Sequence, residues 1–325
     1  MALEAVDHDT VAIRAYESGA MNTILFCSQP FAPKEVDADF LTEHRAAIDA
    51  GFSTALFDHT LVTEGDVSRA IRRIPENIGS CVYRGWMLTA SRYSELNDAL
   101  MQRGAQLVNS PSAYRFCHHL PESYSALEGE TPESVWFPVK GSVAFDEVFE
   151  RLRIFGSAPL IVKDYVKSQK HHWNEACFIP HADDKASVER VVRRFLELQG
   201  EDLAEGLVFR RYVPLRIVGL HPRSKMPLAA ELRTFWFDGQ LLLKHAYWGD
   251  LASVEPDLTP SDAWLHHISL QISSRFFTMD VALLDNGQWT VVELGDGQVA
   301  GLPEPQLAPQ FYQKLRGITR ETAHD

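Results

Sequence analysis

The chain has 325 residues, 45% hydrophobic and 23% charged, as is typical of a soluble globular protein with a sizeable core. Its 44 acidic and 31 basic residues give a net charge of −13, which argues against nonspecific binding to nucleic acid or an anionic membrane without excluding a local basic cleft. The four cysteines form no CxxC pair, residues 1–20 lack the features of a signal peptide, and no apolar run approaches ~18 residues. We therefore expect a cytoplasmic protein with reduced thiols and no membrane segment.

Strands and helices alternate in the first third of the chain, after a polar extension over residues 1–20. The pattern predicts a small parallel α/β domain over residues 21–112. Its expected elements are strands at 23–27, 53–57, 80–83 and 106–109 and helices at 37–50 and 91–103.

Residues 113–325 are predicted to be α+β with antiparallel sheets, divided into a smaller lobe at about 135–205 and a C-terminal lobe at about 206–325. Helices are expected at 112–127, 145–155 and 185–199, and strands at 159–163, 177–179, 206–213, 228–237 and 240–248, followed by a hairpin.

That last hairpin places two carboxylates together. Residues 276–284 and 289–294 are apolar and extended, and the Asn286-Gly287 dipeptide between them favours a type I′ turn. With this turn, Asp280 lies opposite Glu293 with Cβ atoms roughly 5 Å apart, where like charges need a cation between them or a bound proton. Because Asp296 follows closely on a flexible bend, the pattern outlines a hard-metal site.

A second hairpin carries basic residues. With Asp238-Gly239 in the turn, Arg233 is predicted to face Lys244. Two cations on one face would suit a polyanion such as a triphosphate. Solvated positions on an exposed face, or pairing of Arg233 with Glu231, explain them equally well.

Further basic residues end two strands of the middle region. Lys163 closes an apolar strand and precedes the basic loop 164–170, while Arg210 and Arg211 lie on opposite faces of another strand, so that at most one points into a cleft. The chain contains no GxGxxG, GxxxxGK[ST], HExxH or GxSxG motif, which argues against a Rossmann site, a P-loop, a zincin and a serine hydrolase.

Two stretches resemble the ATP-grasp superfamily, and within it the clade named for two arginines and a lysine. They are Ile161-Val162-Lys163-Asp164-Tyr165-Val166-Lys167-Ser168 and Val292-Glu293-Leu294-Gly295-Asp296-Gly297-Gln298. The resemblance extends over roughly residues 22–320 and implies an ATP-grasp fold, in which two lobes with antiparallel sheets clamp ATP.

The resemblance also implies roles for individual residues. Lys163 would contact the α-phosphate and the adenine side, and the backbone of Arg211, Tyr212 and Val213 would contact the adenine edge. Arg233, with Lys244 and the loop residue Lys167, would steady the phosphates during catalysis. Asp280 and Glu293 would hold Mg²⁺, with Asp296 as the candidate third ligand.

The implied reaction phosphorylates a carboxylate, which an amine then attacks; a small molecule, an amino acid or a peptide would be the substrate. Three positions depart from the family pattern: Gly295 replaces the usual asparagine, residues 166–173 replace a glycine-rich lid, and Arg210-Arg211 replaces a hinge acid. The alternatives are a phosphotransferase or nucleic-acid end ligase on the same scaffold, and a nucleotide-binding module without catalysis. The sequence does not indicate an oligomeric state.

Overall fold

A computed structural model describes residues 21–222, 227–249 and 259–321. The predicted polar extension over residues 1–20 lies outside this range. The chain divides into two compact units: the first contains the residues up to Val108 together with the C-terminal helix, and the second runs from Asn109 to Leu307. None of the helices within the described ranges combines the length and the apolar character needed to cross a bilayer.

The first unit contains the predicted parallel sheet. Strand β1 lies between β3 and β4, β5 pairs with β4, and all four run parallel. The strands are β1 (Thr23–Gln29), β2 (Ala32–Val36), β3 (Ser53–Phe57), β4 (Gly79–Arg84) and β5 (Ala105–Leu107); the helices are α1 (Leu41–Asp49), α2 (His59–Glu64), α3 (Val67–Ala70) and α4 (Ala90–Met101). The sequence did not predict β2, a short strand containing Pro33 that pairs antiparallel with the end of β1.

The C-terminal helix (Ala308–Glu321) belongs to the first unit, although the sequence assigned it to residues 113–325. Its aromatic side chains Phe311 and Tyr312 are fully buried, and Tyr312 donates a 2.8 Å hydrogen bond to Glu43 on α1. An amphipathic helix at the end of a chain can cover any apolar surface, and the sequence of the helix does not indicate which part of the fold it packs against. The predicted boundary between residues 112 and 113 stays a prediction.

A buried ion pair stabilises the first unit. Arg84, at the end of β4, is fully buried and donates to both carboxylate oxygens of Glu43 at 2.8–2.9 Å. Its guanidinium also lies 5.8 Å from the centre of the Phe311 ring. Arg84 is a packed residue here, whereas Trp86 is 43% exposed and donates to Asp37 at 2.9 Å.

The second unit begins with helices and a four-stranded antiparallel sheet in the order β6-β9-β7-β8. The strands are β6 (Ser134–Pro138), β7 (Leu160–Asp164), β8 (Phe178–Ile179) and β9 (Gly206–Arg211); the helices are α5 (Pro111–His118), α6 (Leu120–Ser123), α7 (Phe145–Leu152) and α8 (Lys185–Gln199). Helices α7 and α8 cover one face of this sheet with a core that includes Val191, Val192 and Phe195.

The rest of the second unit contains another four-stranded sheet in the order β13-β12-β14-β15, together with a two-stranded ribbon of β10 and β11. The elements are β10 (Ile217–Leu220), β11 (Pro227–Ala229), β12 (Glu231–Phe237), β13 (Gln240–Ala246), α9 (Asp262–Ser269), β14 (Phe276–Leu283) and β15 (Trp289–Asp296). One face of this sheet forms an apolar core that includes Leu232, Trp236 and Met279. Because strand side chains alternate, the charged residues of β12 and β14 lie on the other face. The predicted fold class, a parallel α/β part followed by antiparallel sheets, is confirmed.

The substitution E43Q should destabilise the protein strongly, because it leaves the Arg84 guanidinium buried without its counter-charge. Breaking a buried pair from one side costs about 3–5 kcal/mol, and urea unfolding at pH 7 would measure the loss. The control is E95Q, which removes the same charge from the exposed Arg92–Glu95 pair and should cost less than about 1 kcal/mol. Equal losses for the two variants would contradict this role of the buried pair.

Candidate active site in the second unit

The β14–β15 hairpin places Asp280 directly opposite Glu293, as predicted. The predicted type I′ turn is wrong, because only Gly287 of the Asn286-Gly287 pair has a positive φ, at 87°. The loop is one residue longer than predicted, and its Gly287 amide donates to the Leu284 carbonyl at 2.9 Å. A bulge between Val291 and Glu293 then shifts the pairing by one residue in the opposite direction, so that the two deviations cancel at Asp280.

The β12–β13 hairpin contains the predicted turn, since Asp238 and Gly239 both have positive φ, but its register differs. A bulge near Phe235 and Trp236 places Arg233 opposite His245 and Lys244 opposite Thr234. The predicted pairing of Arg233 with Lys244 is therefore wrong, and the two side chains lie on opposite faces of the sheet. Lys244 donates instead to Asp262 at 2.6 Å.

The cation beside Asp280 is Arg233. These residues are opposite one another in the β12–β14 pairing, and the Arg233 guanidinium donates to both carboxylate oxygens at 2.9 and 2.7 Å. Arg233 also donates to the Gly301 carbonyl at 3.3 Å and lies 4.7 Å from the centre of the Tyr247 ring. Asp280 is only 2% exposed, so this bidentate contact provides most of the compensation for burying its charge.

A third carboxylate, Glu231, lies on the same face; the sequence indicated it only as a possible partner of Arg233 and not as a member of this acidic group. Glu231 is two residues from Arg233 on β12, and its partner Ala282 is two residues from Asp280 on β14. Burial and then the charge of Asp280 raise the pKa of Glu231 to about 8. Strand alternation from Arg233 could have found this residue. Glu231, Asp280 and Glu293 bring three acidic groups to this face against one guanidinium, and Glu231 adds its full negative charge only above about pH 8.

Asp296, the predicted third metal ligand, does not join this group. It is opposite Phe277, three residues from Asp280, and therefore lies on the other face of the sheet. Its buried carboxylate accepts hydrogen bonds from the Asn109 side chain at 2.6 Å and from the Gln298 amide at 2.9 Å. Across residues 21–222, 227–249 and 259–321, no three His, Cys, Asp or Glu side chains converge as a complete set of metal ligands.

Two basic side chains of the other sheet approach Glu293. Lys163 is opposite Val208, two residues from Arg210, so alternation places Lys163 and Arg210 on one face. Arg210 donates to the carbonyls of Val292 and Val291 at 2.6 and 3.0 Å. Lys163, Arg210 and Glu293 line one cavity within this unit.

Burial lowers the pKa of both basic groups, that of Arg210 to about 10, while the charge of Glu293 acts in the opposite direction. Lys163 also donates to the Val166 carbonyl at 3.1 Å. The cavity therefore combines partly desolvated cations with a carboxylate, which would suit an anionic group accompanied by a metal ion.

Arg211, predicted to lie near the adenine with Tyr212 and Val213, points away from this cavity. Its guanidinium pairs with Glu133 at 2.7 Å. The Tyr212 ring packs edge-on against Phe178 at 5.2 Å, and its amide donates to the Pro159 carbonyl. The expected backbone contacts to an adenine stay a prediction, with Val213 half-buried beside them.

The loop after β7 brings a different lysine near the acidic group. Lys167 is exposed, and its backbone amide donates to Asp164. Asp164 is fully buried and also accepts from the Val166 amide at 2.7 Å and from Gln199 at 2.6 Å, which fixes the start of the loop. The Lys170 charge, by contrast, influences both Glu231 and Asp280, so Lys170 lies on the side of the acidic group.

Comparison with known proteins supports the predicted family. Residues 154–315, about half of the chain, match the model of an ATP-grasp domain, family 3 of the clade named for two arginines and a lysine. The chain contains an ATP-grasp domain of this clade. ATP and Mg²⁺ are therefore the cofactors that the family assignment supports. A search of curated proteins finds no match.

Solved structures share the fold at low sequence identity. D-cycloserine synthetase DcsG is 14% identical with a TM-score of 0.57, covering 92% of this chain and all of that one. D-alanyl-alanine synthetase A from Vibrio cholerae is 12% identical with a TM-score of 0.54, covering 95% of this chain and all of that one. The ATP-grasp ligase PsnB, in a complex with a minimal precursor, Mg and ADP, is 13% identical with a TM-score of 0.51, covering 93% and 98%.

The residues present fit the family's cofactors. The carboxyl oxygens of Glu231, Asp280 and Glu293 suit a divalent cation that prefers oxygen ligands, while Lys163 and Arg210 suit phosphate oxygens. All these side chains belong to the second unit, so one compact body contains both halves of the arrangement.

His118, which lines the same cavity, should make the protein less stable in acid. Burial lowers the pKa of His118 to about 4, below its ordinary value of 6.5, so the folded state takes up its proton at lower pH than the unfolded state. The contribution is present above pH 6.5 and is lost as the pH falls towards 4, amounting to at most about 3 kcal/mol.

H118Q should flatten the pH dependence of unfolding between pH 6.5 and 4, whatever its effect at pH 7. Chemical denaturation at several pH values would measure this slope. H267Q, at an exposed histidine of α9, is the matched control and should keep the wild-type slope. A slope that H118Q leaves unchanged would exclude His118 as its source.

Proposed function

We propose that the protein is an ATP- and Mg²⁺-dependent ligase that joins a carboxylate to an amine with release of ADP and phosphate. The observation that carries this proposal is the acidic group of Asp280, Glu293 and Glu231 in the same unit as the half-buried cations Lys163 and Arg210. The acceptor would be a small molecule, an amino acid or a peptide. The structural neighbours include both small-molecule synthetases and a ligase complexed with a minimal precursor, which supports this range.

Each residue of the group has a proposed task. Asp280 and Glu293 would hold Mg²⁺, which would neutralise part of the negative charge of the phosphates. Lys163 would donate to phosphate oxygens, and Arg210 would keep the strand bearing Glu293 in place through its bonds to two backbone carbonyls. Arg233 would hold the Asp280 carboxylate in one orientation, and its remaining donor capacity would face the transferred phosphoryl group.

The proposed reaction needs no nucleophile from the protein. A carboxylate oxygen of the substrate attacks the γ-phosphorus, the bond to the bridging oxygen breaks, and ADP leaves. The amine then attacks the carbonyl carbon of the acylphosphate, inorganic phosphate leaves, and the nitrogen loses a proton. The protein contributes positioning and charge stabilisation, in keeping with the absence of a GxSxG or similar motif from the sequence.

Product analysis distinguishes the proposal from its alternatives. The full-length protein would be incubated with ATP, Mg²⁺ and pools of carboxylic acids, amino acids and peptides, and nucleotide products would be separated by chromatography. ADP release that requires both an acid and an amine supports the ligase. AMP release would indicate adenylation, as in an end-joining ligase; ADP release with a phosphorylated product would indicate a phosphotransferase; ATP binding without turnover would indicate a nucleotide-binding module.

E293Q should reduce Mg²⁺-dependent turnover by about 100-fold or more, because it removes a charged metal ligand. Glu293 is exposed, so the variant should unfold within about 0.5 kcal/mol of wild type. D285N, in the exposed turn of the same hairpin, is the matched control and should retain activity. Near-wild-type turnover in E293Q would exclude Glu293 as a metal ligand.

K170Q should weaken ATP binding more than K167Q, because the Lys170 charge influences both Glu231 and Asp280. We expect the dissociation constant of MgATP, measured by titration calorimetry, to rise roughly three- to tenfold in K170Q, as for one charge contact in a partly exposed site. Higher salt should reduce the difference from wild type. A larger effect in K167Q would instead favour the lysine chosen from sequence.

A further inference from the structure

We propose that the first unit contains a separate binding site for a small monocarboxylate with an apolar group. A pocket of about 340 Å³ lies at the carboxyl ends of the parallel strands β1 and β3, next to helices α2 and α3. This volume is within the range of small-molecule sites, and the carboxyl edge of a parallel sheet is where such sites commonly occur. All of its lining residues belong to the first unit, so the inference does not depend on the ligase proposal.

Ser28 provides the first indication of a ligand. This residue lines the pocket and is only 5% exposed, yet its hydroxyl has no hydrogen-bond partner among the described residues. An unsatisfied buried hydroxyl is destabilising, and such groups are rare in folded proteins. A ligand oxygen in the pocket would accept its proton and remove this cost.

The charges around the pocket favour an anion. Three arginines line it, Arg69, Arg72 and Arg73, against two carboxylates, Asp58 and Glu64. The Asp58 carboxylate already caps α2 by accepting from the Leu61 amide at 3.1 Å. In the described part of the chain Arg72 and Arg73 form no ion pair, and Arg69 has only a 3.9 Å contact with Asp66. A net excess of one positive charge suits a monocarboxylate better than a phosphate dianion.

The remaining walls are apolar. Leu56, Phe57 and Leu61 contribute side chains, and Pro33 and Phe31 lie on the β1–β2 connection. Phe31 is completely exposed and has a φ of 66°, a left-handed conformation that is uncommon for a bulky residue. Such a conformation persists when it serves a purpose, and here it holds an aromatic ring at the pocket beside the arginines. The ligand class is therefore a carboxylate carrying an aromatic or aliphatic group.

Titration calorimetry with 3-phenylpropionate on the full-length protein, without nucleotide, tests the site. We expect wild type to bind it and to bind the neutral 3-phenylpropionamide at least tenfold more weakly. The double variant R72Q/R73Q should lose at least tenfold in affinity, and S28A several-fold. R45Q, at an exposed arginine of α1 outside the pocket, is the matched control and should bind like wild type.

Four outcomes would overturn the proposal: no binding to wild type, equal binding of acid and amide, unchanged affinity in R72Q/R73Q, or binding of inorganic phosphate in preference to the carboxylate. Arg72 and Arg73 are exposed, so their replacement should leave the thermal unfolding midpoint unchanged, which circular dichroism would verify. Because no nucleotide is present, failure here leaves the ligase proposal intact, and failure of turnover leaves this site untouched.

Discussion

The contact between Arg233 and Asp280 determines how the charged face of the second sheet is arranged. A carboxylate that is 2% exposed cannot remain ionised without a partner, and the neighbouring strand provides a guanidinium at 2.7–2.9 Å from both oxygens. The pair depends on the register of β12 and β14, since a shift of one residue would place one of the two in the apolar core. One guanidinium cannot neutralise three acids, however. Glu293, opposite Asp280, adds a further carboxylate to this face, and this carboxylate is what makes the face suitable for a divalent cation and phosphates.

The division of each sheet into an apolar and a charged face follows from strand alternation. In the first sheet of this unit, Phe209 packs in the core beneath α8, whereas its neighbour Arg210 points to the opposite side. The backbone carbonyls of β15 then receive the Arg210 guanidinium, so that one long side chain connects the two sheets. Lys163 lies on the same side because it is opposite Val208. Position within a strand, more than residue type, decides which basic residues lie near Glu293.

Alternation and turn chemistry predicted much of the fold and part of the site. They gave the parallel and antiparallel regions and the pairing of Asp280 with Glu293, because apolar runs and Asn-Gly or Asp-Gly turns are local signals. Bulges are not local signals. In the β14–β15 hairpin, a longer turn compensates for the bulge in β15, so Asp280 pairs with Glu293 although the predicted turn was wrong. In the β12–β13 hairpin, no change in the turn compensates for the bulge, and Lys244 lies on the face opposite to Arg233. A bulge depends on how side chains from separate segments pack, which the sequence of one hairpin does not contain.

Family resemblance and strand geometry contribute different information about this chain. The resemblance pointed to Lys163 and to the strands of Asp280 and Glu293, but it also favoured Asp296, which accepts a hydrogen bond from Asn109 outside the charged group. Geometry adds Arg210 and Glu231, and both could have been chosen from sequence once the core face of each strand was known. Glu231 is two residues from Arg233 on the same strand. Arg210 is two residues from Val208, the strand partner of Lys163, and so lies on the same face as Lys163. A motif therefore identifies the strand that contributes to a site, while the register of its neighbours identifies the side chains that reach it.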